Sequence, residues 1–167
     1  MRINVRPAST GDAETISALN AEVQALHHAQ MPWRFKPPGQ ESFSPAAAAK
    51  LLAKPENLLF LGEIDDGPAG YIYGEIIERP ETPFTLAFSQ IYIHHICVAS
   101  ASRGSGLGAA MIAVVENAAA ARGIGQVALD VWSFNASARV FFARAGYTPY
   151  IERLWRQVTR VSQSESD

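Results

Sequence analysis

The chain has 167 residues, of which 48% are hydrophobic and 18% charged, and its formal net charge is −2. That length suits one domain with its own core and is short for two. A near-neutral charge offers no basic surface for a nucleic acid, and Cys97, the single cysteine, cannot form an internal disulfide. The start of the chain lacks a signal-peptide pattern and the alanine-rich stretch after Gly108 is interrupted by Glu116, so we expect a cytoplasmic protein without a membrane span.

Near the N-terminus, residue patterns predict a short strand and a long helix. Hydrophobic and polar residues alternate over 3–6, which is typical of a strand. Ser9 or Thr10 is placed to cap a helix whose apolar residues recur at helical spacing: Ile16, Leu19, Val23 and Leu26. Residues 31–43 contain three prolines, and their aromatic residues predict an ordered loop anchored by Trp33, Phe35 and Phe43.

A second helix and a β-hairpin are predicted next. Ser44-Pro45 is typical of a helix start and Lys54-Pro55 of its end. Predicted strands at 58–64 and 69–78 flank Asp65-Asp66-Gly67, which is a strong hairpin signal.

The rest of the chain predicts alternating strands and helices. The predicted ranges are a strand at 90–98, a helix at about 105–122, a strand at 126–132, a helix after Asn135 and a last strand at about 147–158. The order βααβββαβαβ indicates an α/β fold with a mixed sheet. Residues 162–167 are polar and are expected to form a flexible tail.

A glycine-rich loop, Arg103-Gly104-Ser105-Gly106-Leu107-Gly108, lies between the predicted strand at 90–98 and the following helix. Glycines let successive backbone amides converge on an anion, and the helix adds its free N-terminal amides and the positive end of its dipole. An arginine at the rim adds charge and a planar fork. The pattern therefore predicts a loop that binds a phosphate or a diphosphate, against the alternative of a plain strand–helix turn.

Three kinds of phosphate-binding loop compete for this pattern. A Walker loop needs Gly-Lys-Ser/Thr, which is missing here. A Rossmann fingerprint fits at Gly104, Gly106 and Ala109, but five residues separate Val98 from Gly104 and too little chain follows to complete a doubly wound sheet. The pyrophosphate loop of an acyl-CoA transferase, Gln/Arg-x-x-Gly-x-Gly/Ala, matches from Arg103 onward.

A second motif, further along the chain, supports the match to the acyl-CoA transferase loop. Asn135-Ala-Ser-Ala138-Arg-Val-Phe141-Phe142-Ala-Arg-Ala-Gly146-Tyr147 is similar to Asn-x-x-Ala-x-x-Leu/Phe-Tyr-x-x-x-Gly-Phe. With both motifs at the expected separation, the chain resembles the GNAT superfamily of CoA-dependent N-acyltransferases over most of its length. The resemblance implies a single-domain α/β fold over residues 1–161, in which helices flank a mixed, mostly antiparallel sheet whose fourth and fifth strands splay apart.

The resemblance implies that acetyl-CoA is the co-substrate and that no metal takes part. Residues of the loop would hold the diphosphate, and residues of the fourth strand and the second motif would line the pantetheine arm. These candidate cofactor-binding residues are Ile96, Cys97, Val98, Arg103, Gly104, Ser105, Gly106, Leu107, Gly108, Asn135 and Phe142. Asn135 is also placed to cap its own helix, which requires no ligand.

An acceptor amine must lose a proton before it can attack a thioester, and three residues are candidate bases. His94 and His95 lie on the fourth strand where relatives often carry an acid, and Glu75 lies on the neighbouring strand. Consecutive residues of a regular strand face opposite sides, so only one histidine is expected to face the acyl group. Parity with Tyr92 favours His94, and a bulge would reverse the phase. Packing roles for the histidines and a solvent-facing or substrate-binding Glu75 are the alternatives.

Phe142 stands where the family carries a tyrosine that assists the leaving thiolate, so the usual acid is missing. Tyr147, Tyr92 or water can take its place. Cys97 could carry the acyl group only as an accessible nucleophile, and a buried thiol is the simpler interpretation.

The resemblance also predicts that the acceptor pocket is walled by the end of the first helix and the loop after it. The candidates for substrate binding are His27, Trp33, Phe35 and Tyr73, with His28 beside them. The predicted function is transfer of an acetyl group to an amine of a small molecule or peptide, without nucleic acid or membrane partners and with a homodimer left open. The alternatives are a CoA-binding sensor without activity and a nicotinamide-dependent oxidoreductase.

Overall fold

The computed structural model describes residues 1–39 and 42–158. Its strands are β1 (Ile3–Pro7), β2 (Asn57–Ile64), β3 (Gly67–Arg79), β4 (Phe88–Val98) and β5 (Val127–Leu129). Its helices are α1 (Ala13–Gln30), α2 (Pro45–Leu52), α3 (Leu107–Ala120) and α4 (Ala136–Arg144). The strands form one sheet in the order β1-β2-β3-β4-β5, in which only β4 and β5 run parallel. The predicted mixed, mostly antiparallel sheet is confirmed.

The chain divides into two compact units. The first, Met1–Phe134, holds the whole sheet and α1 to α3, and the second begins at Asn135 and holds α4. Over the described residues, no helix combines the length and apolar character needed to cross a bilayer.

Local side-chain chemistry sets the starts of the first two helices. The Ser9 backbone N–H donates to Asp12 Oδ2 at 2.7 Å in a capping box, and the chain makes one 3-10 turn before α1. Ser44 Oγ accepts from the Ala47 N–H at 3.2 Å at the start of α2. The hairpin turn places Asp65 and Asp66 at φ of 48° and 66°, as a two-residue turn between twisted strands requires.

Helices cover both faces of the sheet. On one face α1 and α2 enclose a core cluster with the sheet: Ala13, Ile16, Ala48, Leu59, Leu61, Tyr71, Tyr73 and Cys97. On the other face α3 buries Leu107, Met111 and Val115. It packs so closely that a Cβ on Gly62 would lie 2.8 Å from Leu107 Cδ1. This close packing fixes the N-terminus of α3 against the sheet.

The predicted fifth strand is present but shorter than expected, and the prediction of a last strand is wrong. β5 has three residues where 126–132 was expected, and residues 147–158 form no strand. Apolar composition suggested the last strand, but a strand also needs a paired edge. Instead, large side chains of this segment are exposed: Tyr150, Ile151, Leu154, Trp155 and Val158. The predicted tail at 162–167 lies outside the described residues.

An ion-pair network ties β1 to β2 and to the turn before α1. Arg6 Nη2 lies 2.8 Å from Asp12 Oδ1, and Arg6 Nε lies 2.8 Å from Glu63 Oε1. Hydrogen bonds from Arg6 hold the pKa of the Asp12 carboxyl well below its usual range. The folded state is therefore stabilised above the unfolded pKa of Asp, ~3.9, and that contribution is lost as the pH falls towards the folded pKa.

We expect Asp12→Asn to lower the free energy of unfolding by about 1–2 kcal/mol at pH 7, because two charge-assisted hydrogen bonds are lost. The difference from the parent should shrink as the pH is lowered below ~4, where the parent loses the same contribution. Urea unfolding at pH 7 and at several lower values measures it, with the exposed Asp130→Asn as the control. Equal stability of Asp12→Asn and the parent at pH 7 would contradict the assignment.

Candidate functional site

β4 contains a β-bulge at His94. Tyr73 pairs with His95 and Gly74 with Ile93, so His94 has no residue opposite it on β3. A bulge breaks the alternation of side chains along a strand. The Tyr73 ring accordingly stacks on His94 with centroids 4.8 Å apart and meets the edge of His95 at 5.5 Å. The two histidine rings therefore both contact Tyr73, because the bulge removes the regular alternation on which the expectation of a single facing histidine depended.

His94 forms a hydrogen-bonded pair with Glu75. The distance from Nε2 to Glu75 Oε2 is 2.6 Å, and each side chain is 33% exposed. The ring is held between Tyr73 and Tyr92, whose centroid lies 4.9 Å away. A carboxylate at Nε2 favours the tautomer with its proton on Nε2 and stabilises an imidazolium. Nδ1 of His94 is then the atom that can accept a proton from an amine.

His95 lies deeper, in a polar chain that runs into the core. Asn20 Nδ2 donates to the Tyr71 hydroxyl at 2.7 Å, and that hydroxyl lies 3.0 Å from His95 Nδ1. Burial, with smaller contributions from His94 and His27, lowers the pKa of His95 to about 4. His95 is therefore a neutral imidazole at physiological pH.

A pocket of about 230 Å³ opens beside His95. Its lining comes from α1, the loop after it and β4: Asn20, Gln24, Lys36, Ser42, Phe43 and His95. Neither Asn20, Gln24 nor Ser42 was singled out by the sequence, because their spacing carries no recognisable pattern.

An aromatic cluster lies at the end of α1. The His27 ring stacks on Phe35 at 4.9 Å and meets the edges of Trp132 and Phe134 at 6.4 and 5.7 Å. Burial lowers the pKa of His27, so this ring favours its neutral form. The structure thus brings together two of the four predicted substrate-binding residues, whereas Trp33 in the same loop is 61% exposed. Sequence analysis missed Trp132 and Phe134, and their only signal was an aromatic pair directly after the fifth strand.

The fourth predicted substrate-binding residue, Tyr73, lies with the two histidines. It is buried, and its hydroxyl donates to Asn57 Oδ1 at 3.3 Å. Burial, followed by Glu75 and Glu56, raises the pKa of Tyr73. Its ring can therefore position His94, but its hydroxyl is already engaged within the protein.

The edge of β4 next to β5 is open beyond the bulge. In the described part of the chain β5 pairs only with Ile91, Tyr92 and Ile93, although β4 continues to Val98. The Ala99 N–H donates to Ala69 O at 2.8 Å on the β3 side. Because backbone groups alternate along a strand, those of Ile96 and Val98 point to the open edge. An extended ligand can therefore add to the sheet here.

Cys97 lies between Ile96 and Val98, and its backbone groups point towards β3 and not towards the open edge. It pairs with Tyr71 on β3, and its Sγ donates to Leu19 O at 3.1 Å. The side chain is 2% exposed, and burial raises the pKa of the thiol to about 11. These properties do not suit a nucleophile.

The glycine loop follows the open edge. Gly104 and Gly106 have φ of 78° and 93°, a conformation that suits glycine, and a Cβ on Gly104 would meet nothing within 4 Å. Ser105 Oγ accepts from the Leu107 N–H at 3.3 Å as α3 begins. The other amides of the first turn, including that of Gly108, have no acceptor within the helix. The loop thus has the open backbone donors and the clearance that a diphosphate needs.

Arg103 is tied to its surroundings at the rim of this loop. Its Nε donates to Val98 O at 3.3 Å, and its Nη2 lies 3.5 Å from Glu22 Oε2. Glu22 also accepts from the Ser100 N–H at 2.9 Å. The guanidinium therefore lies beside the open edge of β4, where it is paired with the Glu22 carboxylate.

The remaining predicted site residues belong to the second unit. Asn135 Oδ1 accepts from the Ala138 N–H at 3.1 Å, which confirms the predicted cap of α4. Phe142 is buried, and its ring meets the edges of Phe141 and Tyr147 at 5.0 and 5.7 Å. Within this unit Phe142 and Tyr147 therefore form part of one aromatic contact.

The sheet topology overturns one alternative. A dinucleotide-binding fold is built on a parallel, doubly wound sheet, whereas four of the five strands here are antiparallel neighbours. Among the described residues, no group of three or more His, Cys, Asp or Glu side chains is placed to hold a metal ion.

Solved structures with this fold include several acetyltransferases. A mutant of the BH1408 protein from Bacillus halodurans has a TM-score of 0.88 at 19% identity, over 93% of this chain and 99% of that one. A predicted acetyltransferase with acetyl-CoA from Clostridium acetobutylicum has a TM-score of 0.68 at 17% identity, over 93% and 96%. An aminoglycoside acetyltransferase from an uncultured soil metagenomic sample has a TM-score of 0.67 at 18% identity, over 95% and 100%. At these identities the likeness shows the fold alone.

Sequence comparison identifies the family. No curated protein matches the chain significantly. The model of the acetyltransferase (GNAT) family matches residues 21–147, which include the second half of α1, all of α2 to α4 and both motifs. The chain therefore belongs to the GNAT family of acetyltransferases.

Proposed function

We propose that the protein is an N-acetyltransferase that moves an acetyl group from acetyl-CoA directly to an amine of a small molecule or peptide. The observation that carries the proposal is the pairing of His94 with Glu75 on the strand whose edge opens immediately afterwards. This arrangement places a candidate base next to a candidate binding edge for an acyl carrier. Family membership supports acetyl transfer in general.

The residues present fit coenzyme A. The open edge at Ile96 and Val98 suits the amides of a pantetheine arm, and the loop at Gly104 and Gly106 suits a diphosphate. When bound, acetyl-CoA supplies a thioester whose carbonyl carbon forms the new bond to nitrogen as the bond to sulfur breaks. The protein's task is to position this group and to remove the proton from the amine.

His94 is the proposed base. An alkylammonium group with a pKa of ~10.4 is almost entirely protonated at pH 7, so a positioned base increases the reactive fraction and removes the proton as the bond forms. Nδ1 accepts this proton while Nε2 stays hydrogen bonded to Glu75. The stacked Tyr73 ring keeps the imidazole from rotating away.

Direct transfer is favoured over a covalent enzyme intermediate. Cys97 is buried, its thiol is engaged with Leu19, and its pKa is raised to about 11. The leaving thiolate must then be served by water or by another donor, since Phe142 offers no hydroxyl. A thiol with a pKa of ~8.5 leaves tolerably well at neutral pH, so this departure does not prevent turnover.

Phe142 also favours a second candidate function, that of a CoA-binding sensor. A panel of primary amines with acetyl-CoA distinguishes the two, with release of free CoA thiol as the measurement. We expect thiol release above the amine-free rate and a matching N-acetylated product. Binding of acetyl-CoA without amine-dependent release would reject the proposed activity in favour of the sensor.

A further inference from the structure

The hydrogen bonds around Tyr71 fix the tautomer of His95. Tyr71 is fully buried, and its oxygen already accepts from Asn20 Nδ2. The hydroxyl proton therefore needs an acceptor, and His95 Nδ1 lies 3.0 Å away. A neutral imidazole that accepts at Nδ1 carries its proton on Nε2. Within the described part of the chain, no protein group forms a hydrogen bond with that Nε2–H.

A lysine contributes to the lining of the pocket beside His95. Among the described residues that line the pocket, Lys36 is the one formally charged residue and none is a carboxylate. The Gln24 amide nitrogen donates to Lys36 O at 2.6 Å, which ties the lysine's backbone to α1. The volume of about 230 Å³ is several times the ~30 Å³ share of one water molecule and accommodates a carboxylate or a phosphate group.

We propose that this pocket binds an anionic oxygen group of the acceptor amine, a carboxylate or a phosphate, with His95 Nε2–H and Lys36 as its donors. The inference rests on the proposed N-acetyltransferase function and names its substrate class. The rings of His94 and His95 both contact Tyr73, so the base and the anion site are adjacent. The acceptor is therefore a short molecule whose amine and anionic group are separated by a few bonds.

The two histidines have different hydrogen-bond partners, and the partners give them different roles. His94 faces a carboxylate and can take up a proton, whereas His95 faces a hydroxyl proton and stays a neutral donor. A neutral donor binds an anion without adding a second positive charge next to His94, where it would oppose protonation of the base.

Matched acceptors test the proposal. The pairs are β-alanine with β-alaninamide for a carboxylate, and phosphoethanolamine with ethanolamine for a phosphate. We expect kcat/KM for the anionic member of at least one pair to be about 10-fold higher, mainly through KM, because one charge-assisted contact is worth ~1.4 kcal/mol or more. The pair that shows the preference identifies the anionic group of the acceptor as a carboxylate or as a phosphate.

Variants of the lining residues test whether the preference for anionic acceptors arises in the pocket. Lys36→Met should reduce the ratio of kcat/KM between anionic and neutral members by about 10-fold, and Lys50→Met, an exposed lysine of α2 outside the pocket, should preserve it. His95→Ala should also reduce the ratio, and His95→Gln, which restores an N–H donor, should recover part of it. Acetylation of amines with no anionic preference, or a preference that Lys36→Met leaves unchanged, would overturn the substrate class alone.

A measurement without turnover separates this inference from the proposed function. Nitrogen-15 NMR of the histidine side chains should show His95 protonated at Nε2, with a signal that shifts on titration with inorganic phosphate or acetate and shifts less in Lys36→Met. A proton on Nδ1, or no response to either anion, would reject the site. A response to anions in a protein that acetylates no amine would retain the anion site and reject the proposed activity.

Discussion

Replacing His94 by alanine is expected to lower kcat by about 100-fold at pH 7, the lower end of what a positioned base contributes. The loss should shrink as the pH approaches the pKa of the acceptor amine, ~10.4, because the free amine then no longer needs a base. The affinity for CoA should be unchanged, since the open edge begins after the bulge. Steady-state rates of thiol release from pH 6.5 to 10 measure the effect.

Glu75→Gln tests the role of the carboxylate that is hydrogen bonded to His94. The amide can still hydrogen bond to His94 but cannot stabilise an imidazolium, so we expect a loss of about 10-fold in kcat. Glu78→Gln, on the same strand but exposed, is the matched control and should behave like the parent. If His94→Ala keeps the parent's pH profile, the base is elsewhere. If Glu75→Gln and Glu78→Gln are alike, the pair has no role in proton transfer.

Local chemistry made most of the sheet and the conformation of the glycine loop predictable. The Asp65-Asp66 turn, the Ser44 cap and the positions of Gly104 and Gly106 each follow from a few consecutive residues, and each appears where the pattern indicated. These features depend on backbone conformation and on contacts within one turn. A short sequence window therefore contains the information that determines them.

The arrangement of the histidines could not be predicted in this way. The bulge at His94 is a property of the pairing between β3 and β4, and a single strand's sequence does not reveal which residue loses its partner. The chain from Asn20 through Tyr71 to His95 likewise joins residues 51 and 24 positions apart. Chemistry at the candidate site thus depends on tertiary contacts, whereas its location depends on local motifs.

At residues 147–158, by contrast, a strand was predicted that the structure does not contain. The apolar residues of this segment do not specify an edge to pair with. Hydrophobic residues correctly predicted strands at β2 and β3, and these two strands pair with each other over most of their length. Pairing partners, more than composition, determined which predicted strands formed.

Gly104→Glu is expected to weaken CoA binding by about 30-fold, which corresponds to ~2 kcal/mol. The new side chain would project from an open loop position next to the first turn of α3, and its carboxylate would repel a diphosphate held there. Calorimetric titration with CoA, together with thermal unfolding of the free protein, measures binding and stability separately.

Gly123→Glu is the matched control. Gly123 has φ of 68°, close to the 78° of Gly104, and a Cβ on either residue would meet nothing within 4 Å. Both variants therefore carry the same charge and a comparable backbone strain of about 1 kcal/mol. Their unfolding temperatures should fall together, while only Gly104→Glu loses affinity, because Gly123 lies beyond the C-terminal end of α3. Equal affinities in the two variants would show that the diphosphate does not lie on the glycine loop.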